Sequence, residues 1–187
     1  MRSFTLVEIV VSLFIFSLML TSMFMILAMG RSSWLVADTS MHIQDEIRKS
    51  LFSIEQDLSQ SALPQTNLSS GNSIVLTPGN GALFSFTVPQ DLDNDGICDI
   101  TASPAEWSPQ MSYSLNANGQ LVRNIVGTGN TVVANNITNL RFDRQSTCLP
   151  AGTIDANVIC VNITAQDTTV LGRVILYNNQ ALVKTRN

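Results

Sequence analysis

Residues 4–27 read FTLVEIVVSLFIFSLMLTSMFMIL, an apolar run interrupted by a single acid, Glu8. Neither Pro nor Gly occurs between Phe4 and Met29, so the run contains no helix breaker. It is free of charge from Ile9 to Gly30. At about 1.5 Å of rise per residue, that length approaches the ~30 Å of a bilayer's hydrocarbon. A carboxylate in such surroundings costs roughly 2.5–3.5 kcal/mol at mid-helix and less near an end. A plain anchor gains nothing from Glu8. A helix that later meets a cation inside a membrane or a packed assembly can offset the cost. A secretory signal peptide fits poorly, because its apolar stretch is only ~7–15 residues long and leads to a small-x-small cleavage site. A simple signal anchor is the nearer rival. Arg2 and Arg31 stand at opposite ends of the run, so positive charge orients it only weakly.

Past Gly30, which marks the expected membrane exit, helical patterning resumes. Ile43, Ile47, Leu51, Ile54 and Leu58 recur at spacings of four and three, with Phe52 widening the stripe. Asp45, Glu46, Arg48, Lys49, Glu55 and Asp57 fall largely off it, and Pro64 ends the segment. The pattern predicts one helix over residues 4–62. From Asn72 onward it turns to β. Leu83, Phe84, Phe86 and Val88 nearly alternate, as do Met111, Tyr113 and Leu115, and a strand is expected over 121–126. Asn116-Ala117-Asn118-Gly119 is a hairpin signal between the last two. Further strands are expected at 137–142, 158–165, 170–177 and 181–184, with Asn178-Asn179 turning the final pair. The fold class is α+β: a long N-terminal helical spine, hydrophobic and then amphipathic, packed on an antiparallel β-sheet.

The opening residues resemble the N-terminal segment of type IV pilins and type II secretion pseudopilins. That motif is a short basic leader, then Phe-Thr-Leu-(Val/Leu)-Glu, then a long apolar run. Met1, Arg2 and Ser3 stand as the leader, Phe4 as the first mature residue and Glu8 as the fifth. The resemblance implies that a prepilin peptidase cuts between Ser3 and Phe4 and methylates the new amino group of Phe4. It also implies that Glu8 docks the subunit by facing the N-terminus of a neighbour. Ser3 departs from the usual Gly before the cut but keeps a small side chain. The segments Tyr113-Ser114-Leu115, 119–124 (GQLVRN) and 133–142 (VANNITNLRF), with the stem over 47–63, look like W-type minor pilins and pseudopilin J. That likeness implies a low-copy subunit near the filament tip that helps start assembly.

Four segments follow: a leader at 1–3, a transmembrane or filament-core helix at 4–30, an amphipathic stem at 31–63, and a β-rich extracytoplasmic globular domain at 64–187. The chain of 187 residues has room for one anchor and one ordinary domain. Its net charge of −4 and scattered Lys and Arg argue against nucleic acid as the main partner.

The stretch 91–99, DLDNDGICD, is the one ligand-like constellation. Asp91, Asp93 and Asp95 alternate, Gly96 permits a tight turn, the Ile97 carbonyl adds an oxygen, and Asp99 closes the ring. An EF-hand's bidentate Glu is replaced by Ala102, and Pro89 and Pro104 stand where flanking helices would be. A structural Ca²⁺ loop is expected, against a solvated acidic loop as the bland alternative. Cys148 and Cys160 flank 149–159 and are expected to bridge, a closure worth about 2–3 kcal/mol by loop entropy. Cys98 could pair with either instead, and buried reduced thiols are a third possibility. Catalysis finds no support: His42 is the lone histidine, no phosphate loop or nucleophile elbow occurs, and the carboxylates outside the 91–99 stretch are dispersed.

The expected function is therefore non-enzymatic. The chain reads as a minor pilin or pseudopilin held single-pass in the inner membrane, its domain outside, then drawn into a pilus or pseudopilus. Its partners would be the prepilin peptidase, the inner membrane and other pilins or pseudopilins. The alternative is a membrane-anchored extracytoplasmic, Ca²⁺-dependent binding or adhesion module that never polymerises.

Overall fold

The computed structural model describes residues 5–61, 66–68, 73–91, 106–144 and 157–185. Among the described residues one helix, α1 (Leu6–Gln60), precedes eight strands: β1 (Ser73–Leu76), β2 (Leu83–Phe86), β3 (Met111–Leu115), β4 (Leu121–Ile125), β5 (Gly129–Ala134), β6 (Ile137–Arg144), β7 (Val158–Thr168) and β8 (Val174–Lys184). The strands form two antiparallel four-stranded sheets, ordered β2-β3-β4-β5 and β1-β6-β7-β8. The architecture is α+β and pilin-like, a long apolar helix packed on antiparallel sheet.

Helix α1 is 55 residues long, about 80 Å at an ordinary helical rise. Thr5 caps it, its Oγ1 accepting from the Glu8 backbone N–H at 3.3 Å. The helix ends at Ser61, whose N–H and hydroxyl both donate to the Leu58 carbonyl. Only the upper half is covered by the sheets. Ile43, Ile47, Ile54 and Leu58 are fully buried against β5, β7 and β8 and the core those strands enclose. Phe52, expected to widen that stripe, is instead 69% exposed on the opposite side of the helix. Two residues from Ile54 is a half-turn, which carries its ring away from the sheets.

Aromatic rings join the two sheets. Phe84 of β2 stacks on Phe142 of β6 with centroids 4.0 Å apart, and Phe86 follows toward Tyr113. The expected hairpin at 116–119 is present between β3 and β4. Gly119 has φ +71°, and a Cβ there would lie 3.1 Å from the Ile137 carbonyl. Glycine therefore serves both the turn and the seam between sheets, where the Ile137 N–H donates to the Gly119 carbonyl at 2.8 Å.

The last hairpin differs from expectation. Asn178 and Asn179 do not turn; they sit mid-strand in β8, opposite Thr164 and Ile163. The chain reverses earlier, at 169–173, where Gly172 takes φ +75° and the Thr169 N–H donates to the Arg173 carbonyl. With a glycine available for positive φ, the Asn pair is left free to pair along the ladder.

Candidate functional site

The site named from sequence lies at the N-terminal end of α1, and the structure carries part of it. Ser3 and Phe4 lie outside the described residues. Glu8 is described: it occupies the first helical turn, exposed, three residues after the Thr5 cap. Thr5-Leu6-Val7-Glu8 is thus also a capping-box sequence, a local role the apolar pattern had hidden. An acid there suits the positive end of the helix dipole. Among the described residues no basic group pairs with the Glu8 carboxylate.

Around and above Glu8 the helix is bare. Large apolar side chains from Leu6 to Met29 are exposed, from 40% at Leu20 to 79% at Leu6. This is one helix long and apolar enough to cross a membrane. Its hydroxyls are suited to apolar surroundings. Ser12, Ser17, Thr21 and Ser22 each donate back to a helix carbonyl at 2.7–2.8 Å, so none needs water. The exposed apolar surface continues past Gly30 through Trp34, Met41 and Phe52. Spacings of 7 and 11 residues put these three on one face. It is the face turned away from the sheets.

Two polar clusters fix the domain to this helix, and sequence patterning missed both. Asp57 and Glu46, assigned to the flanks of the apolar stripe, are only 9% and 5% exposed. The helix packs against strands of both sheets, so its flanks are covered as well as its centre. Asp57 accepts two bonds from Arg123, Nε to Oδ2 at 2.7 Å and Nη2 to Oδ1 at 2.8 Å. Tyr113 donates to the same Oδ2 at 2.6 Å, and Ser53 lies 3.0 Å from the phenol oxygen. Tyr113 and Arg123 are direct cross-strand partners on β3 and β4, so one register delivers both to Asp57. Burial first, then the bond to Asp57, pushes the Tyr113 hydroxyl far above its usual pKa.

Glu46 makes the lower tie. Its Oε2 accepts the Asn135 backbone N–H at 2.7 Å and its Oε1 accepts Lys49 Nζ at 2.9 Å. Burial alone would raise its pKa, but the bonds from Lys49 and Asn135 outweigh it and hold the carboxyl below the ordinary value. Lys49 is held above its own ordinary value, chiefly by the same hydrogen bond. Neighbouring Asn136, in the left-handed region at φ +61°, reaches Asp167 of β7 with Nδ2 at 3.0 Å.

Of the acidic stretch, Asp91 is half-buried, while Asp93, Asp95, Ile97 and Asp99 lie outside the described residues. Among the described residues no cluster of His, Cys, Asp and Glu could hold a metal. Cys160 is buried on β7 and disulfide-bonded; Cys98 and Cys148 lie outside the described residues. His42 is exposed on the helix. No protein-family model matches the chain, and neither a curated protein nor a solved structure matches it.

Proposed function

We propose that this protein is a structural subunit of a pilin-type filament, a minor pilin or pseudopilin of a type IV pilus or type II secretion pseudopilus. The observation that carries the reading is a single helix divided by its cover. Its upper half is the core of a folded domain, and its lower half offers apolar surface on every side with one acid at the tip. In a bilayer the apolar side chains are satisfied but Glu8 is not. In a bundle of sibling helices both are, because a neighbour's amino terminus neutralises the carboxylate that would otherwise cost several kcal/mol. The face formed by Trp34, Met41 and Phe52 extends the packing surface above the membrane.

On this reading a prepilin peptidase cuts between Ser3 and Phe4 and methylates Phe4, and the domain is displayed outside the inner membrane. Asp91, Asp93, Asp95, Asp99 and the Ile97 carbonyl would hold a structural Ca²⁺, with a Cys148–Cys160 bridge closing the next loop. Mass spectrometry of the mature protein tests the processing: the expected N-terminus is a methylated Phe4, and an intact Met1 would point to the tethered, non-polymerising module. Glu8→Ala tests assembly. The variant should reach the membrane at normal levels yet be depleted from sheared filaments. Normal incorporation would remove Glu8 from the docking step.

A further inference from the structure

Among the described residues, four turns close the end of the domain nearest the membrane-length segment of α1. Ties along the helix fix which end this is. Glu46 meets the β5–β6 turn, whereas Asp57, eleven residues further along α1, meets Tyr113 and Arg123 in mid-sheet. The turns on the Glu46 side are 77–82 (TPGNGA), 116–120 (NANGQ), 135–136 (NN) and 169–173 (TVLGR). Three have the Asn- and Gly-based polar composition of water-facing turns, two of them containing glycine.

The fourth, the tip of the β7–β8 hairpin, does not. Val170 is 89% exposed, Leu171 is exposed beside it, and Val174 and Leu176 continue the apolar surface into β8. The turn itself is well ordered by its own bonds: the Thr169 hydroxyl accepts from the Arg173 N–H at 3.0 Å, and Gly172 donates to the Thr169 carbonyl at 2.8 Å. The exposed side chains are therefore presented on a firm support.

The position of this tip identifies what it meets. β7 and β8 both pack on α1, and their hairpin runs past the Asn136–Asp167 bond toward the N-terminal half of the helix. Below Glu46, α1 remains half-covered on one face at Ser32, Leu35, Val36, Thr39 and Ser40. Leu35 is five residues from Gly30, or about 7 Å of helix. A bilayer's polar layer is about 5–7 Å deep on each side of its hydrocarbon. At the same level, on the far side of the helix, Trp34 is 75% exposed, as an interfacial indole is placed. Arg31 and Arg173 flank the two apolar contacts and suit anionic headgroups.

We infer that the β7–β8 hairpin tip, led by Val170 and Leu171, is a second membrane contact that seats the globular domain on the lipid surface. Trp34 on one side of α1 and the hairpin on the other hold the domain at a fixed height and rotation. This rests on the reading that α1 spans the bilayer. It describes the membrane-held state, before any withdrawal into a filament, when the tip would come free.

Tryptophan quenching in full-length protein, reconstituted in phosphatidylethanolamine–phosphatidylglycerol vesicles, tests it. Three variants are compared, each against the parent chain: Leu171→Trp, Val126→Trp in the turn at the opposite end of the domain, and Phe14→Trp within the apolar run. With lipids brominated near the headgroup, Leu171→Trp should lose most of its added emission and Val126→Trp none. With lipids brominated deep in the chains, Phe14→Trp should be quenched strongly. If Phe14→Trp is quenched and Leu171→Trp is not, the hairpin contact is wrong while the span stands. A blue-shifted but unquenched Leu171→Trp would assign the tip to a protein partner and overturn the lipid contact. Equal quenching at Leu171 and Val126 would show unspecific adsorption and overturn it too. Loss of quenching at Phe14 would overturn the span itself.

Discussion

The two halves of α1 share one continuous helical backbone, yet the chain treats their apolar side chains oppositely. Ile43, Ile47, Ile54 and Leu58 are fully buried by the protein's own sheets. Phe14, Phe16, Phe24 and Ile26, equally apolar, remain more than half exposed. The upper half also carries buried charge, and each of those charges is answered within the chain: Asp57 by Arg123 and Tyr113, Glu46 by Asn135 and Lys49. The lower half carries Glu8, answered by no basic group among the described residues. The difference separates what the molecule covers by itself from what it leaves bare.

Three measurements break or sharpen this contrast. The largest effect is expected from truncating a buried ring of the domain that covers the upper half, against an exposed ring of the lower half. Phe84→Ala removes the partner stacked on Phe142 and should cost about 3–5 kcal/mol in denaturant unfolding of the domain. Phe14→Ala should leave that unfolding midpoint unchanged. Equal losses would mean that the lower half folds onto the domain. Next comes the upper tie. Asp57→Ala strands Arg123 and Tyr113, and should cost roughly 2–3 kcal/mol, below the range for a fully buried pair because Arg123 stays partly in water. Asp57→Asn, which retains an acceptor for Tyr113, should lose less.

The smallest effect concerns Glu46. Its carboxyl is held below the ordinary value of 4.5, so its contribution is complete above that value and is lost as pH falls through the lowered one. Glu46→Gln should cost about 1 kcal/mol at neutral pH, and flatten the acid limb of the thermal stability profile. An unchanged acid limb would place the acid sensitivity in other carboxylates.

Much of this organisation is legible in the residue pattern. The unbroken apolar run, the four-and-three spacing of the stem and the Asn-Gly hairpin each announce themselves, because each depends on neighbours a few residues apart. The misreadings share the opposite character. Phe52 adjoins a buried stripe in sequence but stands on the far face of the helix. Asn178-Asn179 has turn composition, but the ladder with Thr164 and Ile163 holds it straight once Gly172 has made the reversal. Glu46 and Asp57 look like solvated flanks until two sheets close over them. The Thr5 cap is written locally, as Thr-x-x-Glu, inside an apolar run that masks it.

The sequence by itself determined that a helix of membrane-spanning length carries a lone acid near its start and leads into an antiparallel β domain. Helical period, strand alternation and turn chemistry are local properties, and they survive any arrangement of the rest. Only the tertiary structure decided that Tyr113 and Arg123 converge on Asp57, that Gly119 lets one sheet touch the other, and that the exposed Val170 and Leu171 lie at the same end of the domain as the Glu46 tie. Those facts depend on register between segments tens of residues apart. A shift of one residue in a strand turns every side chain to the other face, so no local pattern could have fixed them.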